Sequence, residues 1–201
     1  MAKPENQPAP ELGAESPPGA ERPWSPGNAA AYQTRLLERV SLGAPLGEVL
    51  ELLTGGFEAL WPDTITSVQL LAPDKLALRV AAGRNLPASH REPSVRFPIG
   101  PKNGSCGTAA YRREVVIVSD IASDPIWADW LHYAIPDGLR ACWSVPIFDA
   151  NHEVVATFAV YHRTPRAPSA DELTLVERVA HIVRIALDTE RREQARRLAE
   201  A

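Results

Sequence analysis

The apolar positions of the chain follow a helical spacing near both ends and a strand-like alternation between them. Apolar residues recur three or four positions apart over 29–42 and 46–60, and again after Ser169. Such spacing predicts amphipathic helices that each bury one face. Ser169 followed by Glu172 is typical of a helix start with a capping box. The apolar stripe of that last helix continues to Leu187.

The middle of the chain has the pattern of β-strands. Runs of alternating or β-branched residues, bounded by turn residues, predict strands over 64–71, 75–81, 115–118, 141–148 and 153–161, with a shorter one around Val95 and Phe97. The elements do not alternate as strand, helix and strand. Their order therefore favours an antiparallel sheet with helices on one face and loops on the other. The predicted fold class is α+β.

Three segments of the chain differ in composition. Residues 1–28 contain seven prolines and almost no aliphatic side chains, so they cannot bury enough apolar surface to offset the entropy of ordering. We predict a disordered proline-rich segment over 1–28, a folded domain over 29–190 and a polar helical extension over 191–201. That extension is either a solvated helix end or a helix that pairs with its copy, and we favour pairing.

Composition and charge exclude several classes of function. A chain of 201 residues, 45% of them hydrophobic, can build one full core. Its net charge of −4 gives no reason to expect nucleic acid or an anionic membrane as a partner. No apolar run approaches the roughly 20 residues of a transmembrane helix, and the N-terminus lacks a signal core. With two cysteines we expect reduced thiols and a cytoplasmic location.

Residues 99–121 are typical of one wall of a pocket. Gly100, Gly104 and Gly107 allow the backbone to turn sharply and to approach another group closely. A short helix is predicted to begin at Gly104, and the strand at 115–118 follows it. A loop, a short helix and a core strand in this order usually enclose a cavity.

These motifs and the segments after them resemble the GAF domain family. The resemblance rests on an ordered set of motifs, at 100–109, 116–121, Asp124-Pro125, 138–147 and 157–161. It is closest to the sensor domains of bacterial histidine kinases and of proteins that metabolise cyclic di-GMP. It implies about six antiparallel strands between a dimer face of terminal helices and a ligand pocket. Family members bind cyclic nucleotides, tetrapyrroles, haem, metals or small metabolites, so the cofactor or ligand stays unknown.

Ten side chains are candidates for contact with a pocket ligand. Strand alternation places Cys142 and Ser144 on one face, which the resemblance turns toward the pocket. Trp127, Trp130 and Tyr133 lie in the expected roof, where they either stack on a planar ligand or close a core. The full set is Ser105, Cys106, Thr108, Trp127, Trp130, Tyr133, Arg140, Cys142, Ser144 and Tyr161.

Charged and metal-binding residues give weaker signals. Arg140, Lys102 and the N–H groups of 104–106 form a candidate site for a phosphate or carboxylate. The alternative is that both cations are solvated surface charges. The five histidines show no paired spacing of the kind that binds a metal, so we predict no metal site.

Cys106 and Cys142 allow two interpretations, either buried thiols that act as small apolar side chains or a redox-sensing pair. Cys106 also stands where free methionine-(R)-sulfoxide reductase, a GAF enzyme, has a cysteine. The loop 124–140, where that enzyme has its attacking cysteine, contains none here. Cys142, Ala159 and Tyr161 replace the acidic residues of that enzyme's pocket strands. We therefore assign no catalytic residue.

The sequence predicts a non-catalytic sensor module. A small molecule or a redox change in the pocket would shift the loop 122–140, and the terminal helices would relay the shift across a homodimer. An output domain or a partner protein would receive the signal. The alternative from another class is a thiol-dependent oxidoreductase that resembles the sulfoxide reductase. A third interpretation is a structural dimerisation module whose own side chains fill its pocket.

Overall fold

The computed structural model describes residues 25–200, and most of the predicted disordered segment, 1–28, lies outside them. Helices precede, interrupt and follow the strands. The helices are α1 Pro26–Ser41, α2 Leu46–Leu60, α3 Ala88–Arg91, α4 Gly104–Arg112, a 3₁₀ helix Pro125–Trp130, α5 Leu131–Ala134 and α6 Ala170–Ala199. Within residues 25–200, no helix has both the length and the apolar content that crossing a bilayer requires.

The strands form one sheet in the order β3-β2-β1-β6-β5-β4, and every neighbouring pair is antiparallel. They are β1 Thr64–Leu71, β2 Ala77–Ala82, β3 Phe97–Pro98, β4 Val116–Val118, β5 Ala141–Phe148 and β6 Val154–His162. The predicted α+β class with about six antiparallel strands is confirmed.

Helix α1 begins at Pro26 and not at the predicted Ala29. The Ser25 hydroxyl accepts a hydrogen bond from a first-turn N–H at 3.1 Å, which caps the helix. Pro26 occupies the first turn, where its missing N–H leaves no hydrogen bond unmade. A proline assigned to the disordered segment therefore starts the first helix, which begins earlier in the chain than predicted.

One face of the sheet is covered by α1, α2 and α6. Phe57 of α2 meets Phe158 of β6 edge to face, with ring centroids 5.4 Å apart. Val176 and Val183 of α6 are fully buried in the same core. Burying an aliphatic or aromatic side chain of this size contributes about 1.5–3 kcal/mol. The predicted layer of terminal helices is therefore held to the sheet by its apolar faces.

Alternation along β5 divides its side chains between the two faces of the sheet, as predicted. Cys142 lies in the core beneath the pocket, opposite Tyr161 of β6. Trp143 lies in the core shared with the terminal helices, opposite Val160. Consecutive residues of β5 therefore connect the two layers.

The start of α6 is attached to β5 through the buried Glu172. Its carboxylate accepts from the Ser169 N–H at 2.8 Å, and the Ser169 hydroxyl accepts from the Glu172 N–H, so the predicted capping box is present. The carboxylate also accepts from the Arg166 guanidinium at 2.6 Å. Arg166 lies over the Trp143 ring, 5.2 Å from its centroid. These contacts hold the first turn of α6 against the sheet.

Candidate functional site

A small cavity lies on the sheet face opposite the terminal helices, covered by the segment 125–134, which we call the roof. Its lining consists of Gln69, His90, Phe97, Asn103, Gly104, Ser105, Cys106, Trp127, Trp130, Tyr133 and Tyr161. The free volume is about 20 Å³, enough for one molecule of the size of water. The side chains nearly fill this pocket, so a larger ligand has to displace the roof.

Two glycines let α4 approach its neighbours closely. Gly104 has a φ of +60°, which favours glycine, and a Cβ there would lie 3.5 Å from the Trp127 ring. At Gly107 a Cβ would lie 2.2 Å from the carbonyl oxygen of Pro98, which leaves no space for a side chain. The glycines predicted to permit close approach therefore bring the first turn of α4 onto the sheet.

Ser105 connects the roof to the sheet. Its hydroxyl donates to the carbonyl oxygen of Cys142 at 3.1 Å and accepts from the Trp127 indole N–H at 3.0 Å. All three residues are buried, where an unmade hydrogen bond is costly. A movement of β5 or of the first turn of α4 is therefore coupled to the position of Trp127.

Two free thiols lie together beneath the cavity. Cys142 of β5 and Cys106 of α4 belong to the same buried apolar cluster, and their thiols interact electrostatically. The Tyr161 hydroxyl lies 3.6 Å from the Cys106 sulfur and accepts from the Gln69 amide at 3.3 Å. Cys106 lines the cavity while Cys142 lies behind it. Cys106 is therefore the thiol that a small molecule in the cavity would meet.

The surroundings shift the pKa values of the two thiols in opposite directions. Hydrogen bonding from the Cys142 thiol, with smaller contributions from nearby hydroxyls, lowers the pKa of Cys106 to about 7 in spite of its burial. Burial, and the neighbouring Cys106 sulfur, raise the pKa of Cys142 well above its usual value. The site therefore favours a thiolate at Cys106 and a protonated thiol at Cys142.

The roof aromatics pack on one another and on His90. Tyr133 meets Trp130 and His90 edge to face, with centroids 6.2 and 5.2 Å away, and Phe97 lies 6.1 Å from Trp130. His90 is buried and lies 3.2 Å from the Asp137 carboxylate. Burial lowers the pKa of His90, although the Asp137 charge acts in the opposite direction. The cluster closes the pocket with apolar surface.

Two polar atoms of the lining are left unpaired. Among residues 25–200, the side-chain oxygen of Gln69 and the indole nitrogen of Trp130 are buried without a hydrogen-bond partner, which is uncommon in folded proteins. None of the lining residues, all within that range, is Arg, Lys, Asp or Glu. The lining therefore suits an uncharged group that donates one hydrogen bond and accepts another.

The structure brings together most of the predicted ligand contacts. Ser105, Cys106, Trp127, Trp130, Tyr133 and Tyr161 line the cavity. Cys142, Ser144 and Thr108 are buried behind this lining. The Thr108 hydroxyl accepts from the Asn103 N–H at 3.3 Å and so holds the loop before α4. Ligand contact by these residues stays a prediction.

Arg140 and Lys102 stand apart from the cavity. Arg140 is half-exposed and pairs with Asp120 at 3.1 Å, and Lys102 is exposed in a turn. Neither is among the described residues that line the cavity. Within 25–200, no group of three or more His, Cys, Asp or Glu side chains is arranged to hold a metal ion.

Sequence reasoning missed Gln69, His90, Phe97 and Asn103 as lining residues. Gln69 carries a signal, because it is a polar residue at an inward-facing position of a largely apolar strand. His90 and Phe97 come from 82–98, a segment without clear periodicity. Their positions depend on contacts with the roof, which no local pattern encodes.

Comparison with known proteins gives a family match over most of the chain. A model of the GAF domain matches residues 35–188. The methyl sulfide methyltransferase-associated sensor of Methanosarcina acetivorans is 34% identical over 156 residues, which are 78% of this chain and 16% of that protein. The chain therefore corresponds to a small part of that relative.

Solved structures share the fold at low sequence identity. The phycoerythrobilin-bound GAF domain of a cyanobacterial phytochrome has a TM-score of 0.68 and 18% identity, with 85% of this chain and 100% of that chain covered. The free methionine-R-sulfoxide reductase of Neisseria meningitidis, in complex with its substrate, has a TM-score of 0.64 and 20% identity, with 85% and 96% covered. These likenesses establish the fold alone.

Proposed function

Because the chain belongs to the GAF domain family, we propose that it is a non-catalytic sensor module in signal transduction. It responds to a small molecule or a redox change in its pocket and relays the response through the terminal helices. The observation that carries this proposal is the Ser105 bridge, which joins the roof at Trp127 to β5 at Cys142. The sensor name of the Methanosarcina relative supports the same function.

The relay crosses the sheet at β5. Cys142 faces the pocket and Trp143 faces the terminal helices. Trp143 contacts Arg166, whose guanidinium pairs with Glu172 in the first turn of α6. A shift of β5 therefore reaches α6 through a few packed side chains, which is the kind of contiguous contact that carries coupling between sites.

The far end of α6 supports a relay to a second chain. The buried positions of α6 end at Leu187, whereas the helix continues to Ala199. At 1.5 Å per residue the last turns project roughly 18 Å further, and Leu198 is 81% exposed. Beyond Leu187 the side chains of this helix are half-buried or exposed, although Arg191 pairs with Asp149 at 3.4 Å. A helical end with so little apolar packing is marginally stable alone. We infer a cytoplasmic homodimer in which these ends pair and act on an output domain or a partner protein.

The chemistry of the lining favours a neutral, planar ligand. The roof aromatics offer stacking surfaces, and the Gln69 oxygen and Trp130 N–H offer one acceptor and one donor. A phosphate or carboxylate is disfavoured because the described lining contains no Arg or Lys. The ligand has to lift the roof in order to enter, and that displacement is the movement the sensor relays.

Native mass spectrometry of the whole chain purified under reducing conditions, with an absorption spectrum of the same sample, tests this proposal. We expect a dimer that carries or takes up a neutral heteroaromatic molecule. The variant Gln69→Leu, which keeps the approximate size of the side chain, should lose the ligand and keep the dimer. A monomer whose roof and α6 respond neither to ligands nor to oxidants contradicts the proposal.

The alternative of a thiol-dependent sulfoxide reductase has less support. The described lining contains no Asp or Glu to protonate a sulfoxide oxygen, and the loop 124–140 has no cysteine to attack the sulfur. The reductase interpretation would be favoured over the sensor interpretation if the chain reduced free methionine-(R)-sulfoxide with a dithiol reductant and Cys106→Ser abolished this activity.

A further inference from the structure

The proposed sensor function does not by itself assign a role to the thiols of Cys106 and Cys142. Cys106 lies in the first turn of α4 and Cys142 in β5, and both are buried. The hydroxyl of Ser105, next to Cys106, donates to the carbonyl of Cys142 at 3.1 Å and fixes the turn against the strand. Both thiols lie in the same buried cluster beneath the cavity, and each influences the pKa of the other. Because both thiols lie in one buried cluster and Ser105 joins their two elements, a shift of the first turn of α4 toward β5 would allow a disulfide bond of about 2.05 Å to form.

The two thiols are not equivalent. Cys106 lines the cavity, whereas Cys142 is fully buried behind it. The hydrogen bond from Cys142 and the Tyr161 hydroxyl at 3.6 Å stabilise negative charge on the Cys106 sulfur. The thiolate is the nucleophilic form of cysteine. The geometry therefore makes Cys106 the attacking thiol and Cys142 the second thiol of the pair.

The size of the cavity selects the oxidant. Its free volume of about 20 Å³ accommodates one molecule of the size of water. Hydrogen peroxide is the hydroperoxide closest to water in size, whereas an organic hydroperoxide has to displace the roof. We propose that Cys106 and Cys142 form a reversible intramolecular disulfide when hydrogen peroxide enters this cavity. The inference rests on the proposed function, because it supplies the redox change that the module senses.

The reaction balances in two steps. The Cys106 thiolate attacks one peroxide oxygen, an S–O bond forms, the O–O bond breaks, and the leaving hydroxide takes a proton and departs as water. The Cys142 sulfur then attacks the sulfenic acid sulfur, an S–S bond forms, and the S–O bond breaks. The released hydroxide takes the Cys142 proton and departs as a second water. Each thiol gives one electron, peroxide accepts two, and a dithiol reductant restores the pair.

Formation of the disulfide would change the roof through Ser105. Forming it draws the first turn of α4 toward β5, and this turn carries Ser105. The hydroxyl of Ser105 bonds both Cys142 and Trp127, so its displacement alters the environment of the Trp127 indole. Oxidation therefore changes tryptophan fluorescence in the wild type. In Ser105→Ala the disulfide still forms, but the fluorescence change is reduced or lost.

The test treats the reduced, full-length wild-type protein with hydrogen peroxide and measures its intact mass and peptide map. The expected result is the loss of two hydrogen atoms, a Cys106–Cys142 cross-link within one chain, and reversal by dithiothreitol. In Cys142→Ser the oxidation stops at a sulfenic acid on Cys106, seen as the gain of one oxygen atom in the intact mass. In Cys106→Ser the remaining thiol stays reduced. The wild-type result decides alone if either variant fails to fold.

The inference is overturned if both thiols stay free after excess peroxide or if Cys142 is oxidised before Cys106. A cross-link between two chains, in place of one within a chain, also overturns it. These failures are separate from a failure of the sensor function. If no disulfide forms but a ligand still changes α6, the disulfide inference is wrong and the sensor function stands. If the disulfide forms and α6 does not respond, the inference stands and the proposed relay is wrong.

Discussion

Cys142 and Trp143 are consecutive in β5, yet Cys142 lies with Cys106 in the core beneath the pocket and Trp143 contacts Arg166 before α6. The alternation of a strand places them on opposite faces of the sheet, so the backbone of β5 is shared by the pocket core and the helical core. The indole N–H of Trp143 also donates to the Arg166 carbonyl at 3.3 Å. A displacement at Cys142 therefore acts on the residues that hold the start of α6.

Replacing Trp127 with Phe tests the bridge between the roof and the sheet. Trp127→Phe removes the indole N–H that donates to Ser105, whereas Trp130→Phe removes an indole nitrogen without a partner among the described residues. Both changes remove the same atoms from the roof. We expect Trp127→Phe to lower the free energy of unfolding by about 1 kcal/mol more than Trp130→Phe, measured by urea denaturation. Equal losses would show that the bridge does not stabilise the fold.

The close approach of α4 to the chain before it is tested at Gly107. In Gly107→Ala the new Cβ would lie 2.2 Å from the Pro98 carbonyl oxygen, and such overpacking costs about 1–3 kcal/mol. Gly55→Ala is the matched control, because no atom lies within 4 Å of a Cβ there. The control should stabilise α2 by about 0.5–1 kcal/mol. Thermal unfolding of both variants measures the contrast, and a stable Gly107→Ala would refute the described contact.

The stability of the domain should fall as the pH is lowered, in part through His162. Its ring packs on Trp143 with centroids 4.5 Å apart. Burial, and then the charge of Arg166, lower the pKa of His162 from 6.5 to about 4. Between pH 6.5 and about 4 the unfolded chain therefore binds a proton at His162 that the folded chain does not bind. Because of this difference, stability that is present above pH 6.5 is lost as the pH falls toward 4.

The size of this effect follows from the same shift. Lowering the pH from about 7.5 to about 5 should cost the wild type about 2 kcal/mol through His162 alone. In His162→Gln this part of the dependence disappears, whereas His181→Gln, a change on the exposed surface of α6, should keep it. Urea denaturation at the two pH values measures the difference. A pH slope that is the same in wild type and His162→Gln would contradict the assignment.

The sequence allows prediction where local pattern decides the structure. Strand alternation places Cys142 and Trp143 on opposite faces correctly, because β5 is central and both of its faces are buried. The capping box at Ser169 and Glu172 is likewise local, and it forms as predicted. The aromatic roof is predicted through the resemblance, whose Asp124-Pro125 motif directly precedes it, and in the structure the Asp124 carboxylate accepts from the Ile126 N–H at 2.9 Å.

Other features depend on contacts between distant segments. Arg140 is a predicted contact for a phosphate or carboxylate, and the sequence does not show that antiparallel pairing of β4 with β5 brings Asp120 beside it, so that the two charges pair. His90 and Tyr133 are far apart in the chain, so no local pattern could predict that their ring centroids lie 5.2 Å apart. The start of α1 depends on the Ser25 cap, a one-residue signal inside a proline-rich segment.

The central claim is that the state of the pocket reaches α6, and hydrogen–deuterium exchange of the whole chain tests it most directly. The reduced and peroxide-oxidised wild type are compared, with the intact mass of each sample confirming the disulfide in the oxidised form. We predict altered protection in both the roof, 125–134, and the first turns of α6, with the roof change reduced in Ser105→Ala. If oxidation of the wild type alters protection only in α4 and β5 and leaves α6 unchanged, the claim that the pocket is coupled to α6 is contradicted.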